Sequence, residues 1–307
     1  MPTAKQNFLE RLFIIEKALS TPNIIDGLPT HTEHNDIARL LRNGLAVVGF
    51  VALEDFIKNR TIEILNEIAS SHIPFSNLTE DLRFFSTVDV LKSIMRIASF
   101  ESTRSDKMSF IQNETRIISS SLNTSYDLNK YTFGFSNSNI NKDEVKKILK
   151  AFNINDSWNK QTALGSIIGI TSLPLENSFN NAALRRHQAA HDTSSTIPIG
   201  DLIQYINEAI AIGLTFDALL SHSKTKLINN NTAFLANTTL IDQNSVSISF
   251  IKKEIFRWKY KRRGRTNAVK TDTDKNGLLT TVVPISLANN ECLIIYDESN
   301  KIVDWYT

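Results

Sequence analysis

A single cysteine, Cys292, stands in 307 residues, so the chain closes no disulfide within itself and has no cysteine cluster to ligate zinc. A reducing cytoplasm is the simplest location for such a chain. The opening residues, MPTAKQNFLERL, lack the basic, then apolar, then small-residue order of a secretory signal. Long apolar runs are missing too. The richest, GLAVVGFVAL at 44–53, is about half the ~20 residues a membrane span needs and ends in Glu54-Asp55. It reads as a buried helix segment, and no membrane partner is expected. Charge of one sign is also scarce, at +2 overall. From Lys226 onward, however, 12 Lys and Arg face 8 Asp and Glu, against 22 and 24 before it. Attraction to a polyanion is therefore expected to be local. With 41% hydrophobic and 21% charged residues, the chain is globular rather than disordered.

What is present divides the chain in two. NFLERLFIIEKAL has helical spacing and predicts a first helix near 5–20, ended by Ser20-Thr21-Pro22-Asn23. Thr30 and Glu33 have the spacing of a capping box, and apolar residues then recur from Ile37 to Ile68, predicting one long helix through the centre of a bundle. Further helices are expected over 81–100, 107–122, 142–152 and 158–170, with a short strand or turn at 131–135. Pro198 and Asp201 open another, whose apolar stripe runs from Leu202 to Leu220. Beyond Asn229-Asn230-Asn231 the period shifts toward 2, and strands are expected over 245–260, 278–287 and 292–306, with a hairpin turn at 297–300. The expected fold is mainly α, a helical bundle over 1–225 followed by a small basic β domain over 226–307.

The chain has six histidines, and two of them share the stretch LRRHQAAHD at 184–192. On a helix His187 and His191 are one turn apart on one face, with Arg186 about 100° around from His187. Three readings compete. The stretch can be a solvated helix end whose cations meet the C-terminal partial charge. It can be a metal site, although the Glu of an HExxH pattern is missing. Or it can serve phosphodiester chemistry, in which imidazole moves protons and guanidinium matches the oxygens of a phosphorane. RNA carries its own nucleophile, the 2′-hydroxyl, so this chemistry requires no metal or cofactor.

RHQAAH at 186–191 resembles the signature of the HEPN superfamily, an arginine and a histidine separated by four to six residues, and Arg185 fits that spacing as well. The helix containing GLAVVGFVALEDFIKNRTIEIL, with Ala-Leu-Glu at 52–54, looks like the early helix of the RiboL-PSP group of HEPN proteins. DTSSTIPIGDLIQYINEAIAIGLTFDALL is similar to that group's loop and closing helix. The resemblance implies an all-α bundle, usually a homodimer, with one RNA-cleaving cleft built by both copies. It implies that Arg186 holds the scissile phosphate, that His191 is the general acid or base, and that His187 orients the phosphate or its neighbour. Glu54 falls at an acidic position of the early helix, where it either serves the site or merely partners an arginine. A bacterial toxin–antitoxin or antiviral setting, with a neutralising antitoxin or regulatory partner, is expected by analogy. Some family members bind nucleotides or partners without cutting, which keeps a non-catalytic module that binds nucleic acid or a partner as the alternative.

IKKEIFRWKYKRRGR at 251–265 holds eight Lys and Arg and one Glu. Read as one strand, it places Phe256, Trp258 and Tyr260 on one face and Arg257, Lys259 and Lys261 on the other, continuing into Arg262, Arg263 and Arg265. Those cations either contact RNA or guard an edge strand. DTDKNG at 272–277 imitates half of a calcium loop, but Val283 stands where the bidentate Glu belongs, and a hairpin turn is expected instead.

Overall fold

The computed structural model describes residues 2–137, 139–170, 173–192, 194–236 and 238–307. Helix α1 (Ala4–Leu19) opens on a capping box, in which Thr3 accepts from the backbone of Gln6 and the Gln6 side chain returns to Thr3. Helix α2 (Thr32–Ser70) follows, about 58 Å long at 1.5 Å per residue. Its N-cap is His31 and no side chain caps it, so the expected Thr30 capping box does not form. Helices α3 (Glu80–Phe84) and α4 (Val90–Ala98) join through a π-turn at Phe85–Asp89, and α5 (Arg104–Ser119) completes that flank. Of the strand or turn expected at 131–135, a turn forms: a 3-10 turn spans Lys130–Thr132. Then come α6 (Lys142–Ala151), α7 (Ser157–Ile168), α8 (Leu175–His191), α9 (Ile199–Ile228) and the short α10 (Thr232–Leu235). The expected division at 225 lies in the last turn of α9.

Helix α2 runs through the bundle, with α1, α8 and α9 packed along it. Close approach depends on Gly49: a Cβ there would sit 2.8 Å from the Tyr205 ring. The Tyr205 hydroxyl uses that space to donate to the Gly49 carbonyl at 2.8 Å. Phe8, Phe56, Phe216 and Trp305 pack together in the middle of the core.

The C-terminal part is a five-stranded mixed sheet of order β3-β2-β1-β4-β5, built from β1 (Ser247–Glu254), β2 (Arg257–Arg262), β3 (Lys270–Asp272), β4 (Glu291–Tyr296) and β5 (Ile302–Tyr306). Strands β1 and β4 are parallel, with Ser247 opposite Glu291, and the other pairs are antiparallel. A parallel pair needs a crossover, and here it is a helix, α11 (Lys275–Ala288). This overturns the expected strand at 278–287 and the hairpin turn at DTDKNG. Asp274 caps α11 by accepting from the backbones of Asn276 and Gly277, and Leu278 and Val282, one turn apart, pack on the sheet with Ile251, Trp258 and Tyr260. The β-branched residues that suggested a strand are overridden by this packing.

The expected single strand over 245–260 is also broken, by a two-residue hairpin at Ile255-Phe256. Ile255 has φ 57°, a conformation that β-branched residues resist. Phe256 is 84% exposed, so it does not join Trp258 and Tyr260 in the core as its place in the alternation predicted.

The opposite face of the sheet shares one core with the bundle, through Ile248, Cys292, Ile294 and Trp305. Asp217 of α9, fully buried, fastens the two. It receives Arg60 Nε at 2.7 Å, Ser221 Oγ at 3.0 Å and Trp305 Nε1 at 2.8 Å. Burial alone pushes its carboxyl pKa up, but Arg60 and these hydrogen bonds outweigh that and hold it below the ordinary range.

Asp217→Ala removes the buried acceptor of Arg60 Nε and Trp305 Nε1, leaving Arg60 only its partly exposed pairs with Glu63 and Glu67, and is expected to cost about 3–5 kcal/mol in urea denaturation. A folded-state pKa below the unfolded one contributes stability that is full above the unfolded value, near ~3.9, and lost as pH falls through the folded one. Acid unfolding of the wild type should therefore steepen below about pH 4, and Asp217→Asn should flatten that limb. At the hairpin, Ile255→Asn relieves the backbone without losing buried surface and should gain about 1 kcal/mol in the same assay.

Candidate active site

Helix α8 brings the motif to the surface on its last turns. Leu175, Ser178, Phe179 and Ala182 are buried and tie its first half to the core, whereas His187, Gln188 and His191 are exposed. His187 and His191 lie together, their ring centroids 4.7 Å apart and inclined at 49°. The chain leaves the helix at Asp192, whose carboxylate accepts from the backbone and hydroxyl of Ser194 at 2.9 and 2.6 Å. Those bonds hold the Asp192 pKa below the ordinary range.

The following loop is pinned from behind by two residues of α2 that sequence reasoning missed. Asn43 donates to the Ser195 carbonyl at 2.8 Å and accepts from Ile197 N at 3.3 Å. Arg42, buried, donates to the carbonyls of Ile197 and Ile24 at 3.0 and 2.8 Å and pairs with Asp26 at 2.9 Å. Both stand between the apolar residues that recur from Ile37, and nothing in their spacing distinguishes a clamp from a solvated face.

The two arginines go to different neighbours. Arg185 faces α9, where it lies 3.6 Å from both Asp201 and Glu208. These are ion pairs too long for hydrogen bonds, and Arg185 Nη2 and Glu208 Oε2 have no hydrogen-bond partner. Arg186 faces the other way. It donates from Nη2 to Asn139 Oδ1 at 3.2 Å, and its buried Nε is unpartnered. Among the described residues no carboxylate lies within ion-pair distance of it. Asn139 belongs to the Ser- and Asn-rich segment, where composition concealed it.

Glu54 lies behind Arg186, buried, its Oε1 accepting from Ile140 N at 2.6 Å. Burial pushes its pKa up, opposed by that hydrogen bond and by the charges of Lys58 and Arg186. The segment that carries Asn139 to Arg186 is thus anchored one residue later to Glu54.

The basic hairpin stands apart. Among the described residues no hydrogen bond or ion pair joins Arg257, Lys259, Lys261, Arg262, Arg263 or Arg265 to α8. Lys259 and Lys261 both pair with Glu254, at 2.9 and 2.5 Å, and Arg262 pairs with Glu291 at 2.6 Å. Arg257, Arg263 and Arg265 are exposed and form no ion pair among the described residues.

No group of three or more His, Cys, Asp or Glu placed to hold a metal ion occurs among the described residues, and no helix there is long and apolar enough to cross a membrane.

Glu54→Gln keeps an acceptor for Ile140 N and is expected to stay within about 1 kcal/mol of wild type in urea denaturation, whereas Glu54→Ala leaves that amide unpaired and should cost about 1–3 kcal/mol.

No curated protein and no solved structure matches the chain. A family model does: RiboL-PSP-HEPN, over residues 10–222. That span runs from within α1 to the end region of α9 and includes Glu54, Asn139, both arginines and both histidines of the motif, but not the sheet. HEPN domains are a family of RNA-binding ribonucleases. The chain belongs to the RiboL-PSP-HEPN family.

Proposed function

We propose that the protein is a metal-independent endoribonuclease. The observation that carries this reading is the contrast between adjacent arginines beside an exposed histidine pair: Arg185 is matched by two carboxylates, while Arg186 has one neutral partner. A guanidinium with no carboxylate within ion-pair distance, and only the field of Glu54 behind it, keeps donors for a phosphate. In this reaction the RNA 2′-oxygen bonds to phosphorus as its proton passes to a base, and the bond from phosphorus to the 5′-oxygen breaks as that oxygen takes a proton. The products are a 2′,3′-cyclic phosphate and a 5′-hydroxyl. His191 acts as general acid or base, His187 orients the phosphate, and Arg186 neutralises charge in the transition state. Glu54 is a positioning residue, acting on Arg186 through its field and through the Ile140 anchor.

His187 and His191 lie on open surface in a single chain, and water has full access to them. A second copy would enclose the site. Exposed apolar residues on α2, Ile37, Leu40, Leu41 and Val48, support a homodimer as surface that a second copy could cover. The hairpin tip supports RNA contact outside the cleft: exposed Phe256 offers a stacking face next to Arg257, and Arg263 and Arg265 add unpaired charge, with Lys259, Lys261 and Arg262 adding to the field from within their ion pairs. An activity that destroys RNA needs restraint, which fits a toxin or antiviral effector held by an antitoxin or another regulatory protein.

Cleavage of single-stranded RNA in EDTA, with end-group analysis, tests this. Wild type should give cyclic-phosphate ends. His191→Ala should lose at least about 100-fold in rate while RNA affinity stays within about threefold. Should wild type bind RNA and cut none of it, the chain is a binding module instead.

A further inference from the structure

Between the bundle and the inner face of the sheet lies a cleft of about 660 Å³, lined by no residue of the Arg-His motif. That volume falls in the range of small-molecule sites. One side is apolar: Ile168 at the end of α7, with Ile170 and Leu173 beyond it. The other sides carry Gln204, Asn207 and Glu208 from α9, Lys252 from β1 and Tyr296 from β4.

Two of these groups want a partner. Tyr296 is 4% exposed and its hydroxyl makes no hydrogen bond, an arrangement that costs stability unless a ligand or water completes it. Burial holds its pKa up at about 12, so the hydroxyl stays a donor at neutral pH. Lys252 Nζ lies 3.7 Å from the centroid of the Tyr296 ring, and no carboxylate lies within ion-pair distance of it among the described residues. Burial lowers its pKa, which an arriving anion would reverse.

We propose that this cleft binds a mononucleotide, with the phosphate at Lys252, the base against Ile168, Ile170 and Leu173, and polar edges meeting Gln204, Asn207 and the Tyr296 hydroxyl. An acyl chain would desolvate those amides and the hydroxyl without replacing their hydrogen bonds, whereas a heterocycle and a ribose pair with them. The site also reaches the motif helix. Glu208 accepts from Gln204 at 2.8 Å through Oε1, while its Oε2 faces Arg185 on α8 at 3.6 Å. A ligand that re-pairs Gln204 or Glu208 alters the charge held against Arg185, the neighbour of Arg186. This regulatory consequence rests on the ribonuclease reading; the binding does not.

Calorimetric titration with AMP, GMP, CMP and UMP tests the site. At least one is expected to bind wild type with a Kd of about 100 μM or tighter, and Lys252→Ala to weaken it at least about tenfold. Lys253→Ala, the same charge change on the next residue of β1, should leave affinity within about twofold, and circular dichroism checks that each variant is folded. Two results overturn the proposal: no binding of any of the four at about 1 mM, or binding that survives Lys252→Ala and disappears in Arg186→Ala, which places the nucleotide at the motif. If RNA is never cut while AMP binding still depends on Lys252, the cleft stands and the ribonuclease reading falls.

Discussion

The carboxylate of Asp217, with almost no exposed surface, is the point on which bundle and sheet depend together. A lone buried charge would be prohibitive, so Arg60 from α2, Ser221 one turn along α9 and the indole of Trp305 from β5 converge on it. Hydrogen bonds to a charge are directional: those from Arg60 and Ser221 hold the carboxylate in place on the bundle, and the one from Trp305 orients the last strand against it. Lys5 adds an ion pair to Asp304 at 2.6 Å, and Arg60 extends the network to Glu63 at 3.0 Å. The same burial raises the pKa of Cys292, with the nearby Asp217 charge adding to it, so the one thiol of the chain is an inert packing group rather than a nucleophile.

The motif is built on the same plan of rigid backing and open face. Everything that sets the direction of α8 lies behind it: its buried first half, the Arg42 and Asn43 clamp on the loop that follows, and the Glu54 anchor beneath Asn139. The imidazoles in front have no such restraint. The ribonuclease proposed above would gain from this division, because positional precision comes from the scaffold while access stays free for a long, flexible strand.

Much of the bundle was legible because periodicity and burial express one fact: a helix hides one stripe, and Leu202 to Leu220 or Ile37 to Ile68 repeat at the spacing that a stripe requires. The motif was legible for a similar reason, since i and i+4 share a face whatever the tertiary context. Contacts distant in sequence were not. Arg42, Asn43 and Asn139 are ordinary polar residues until the fold brings a carbonyl or a guanidinium to them. The α11 misreading has the same origin. LLTTVVPISL favours a strand locally, and only the parallel pairing of β1 with β4 demands a crossover there. At Ile255 local preference points away from the structure, because no β-branched residue announces a turn with positive φ.

Two arginines in succession on a helix diverge by about 100°, and that angle decides what each can do. Arg185 is turned toward α9, where Asp201 and Glu208 draw the end of α8 onto the bundle; Arg186 is turned toward a loop that supplies only an amide. Exchanging the two roles would require carboxylates on the loop side, where they would compete with phosphate for the guanidinium. The sheet repeats the distinction. Lys259 and Lys261 are matched by Glu254 within the hairpin, whereas Arg257 near its tip and Arg263 and Arg265 beyond β2 are exposed and form no ion pair among the described residues. Under the proposed function, the unpaired guanidinium in both places, rather than the number of positive residues, marks where a polyanion would be drawn.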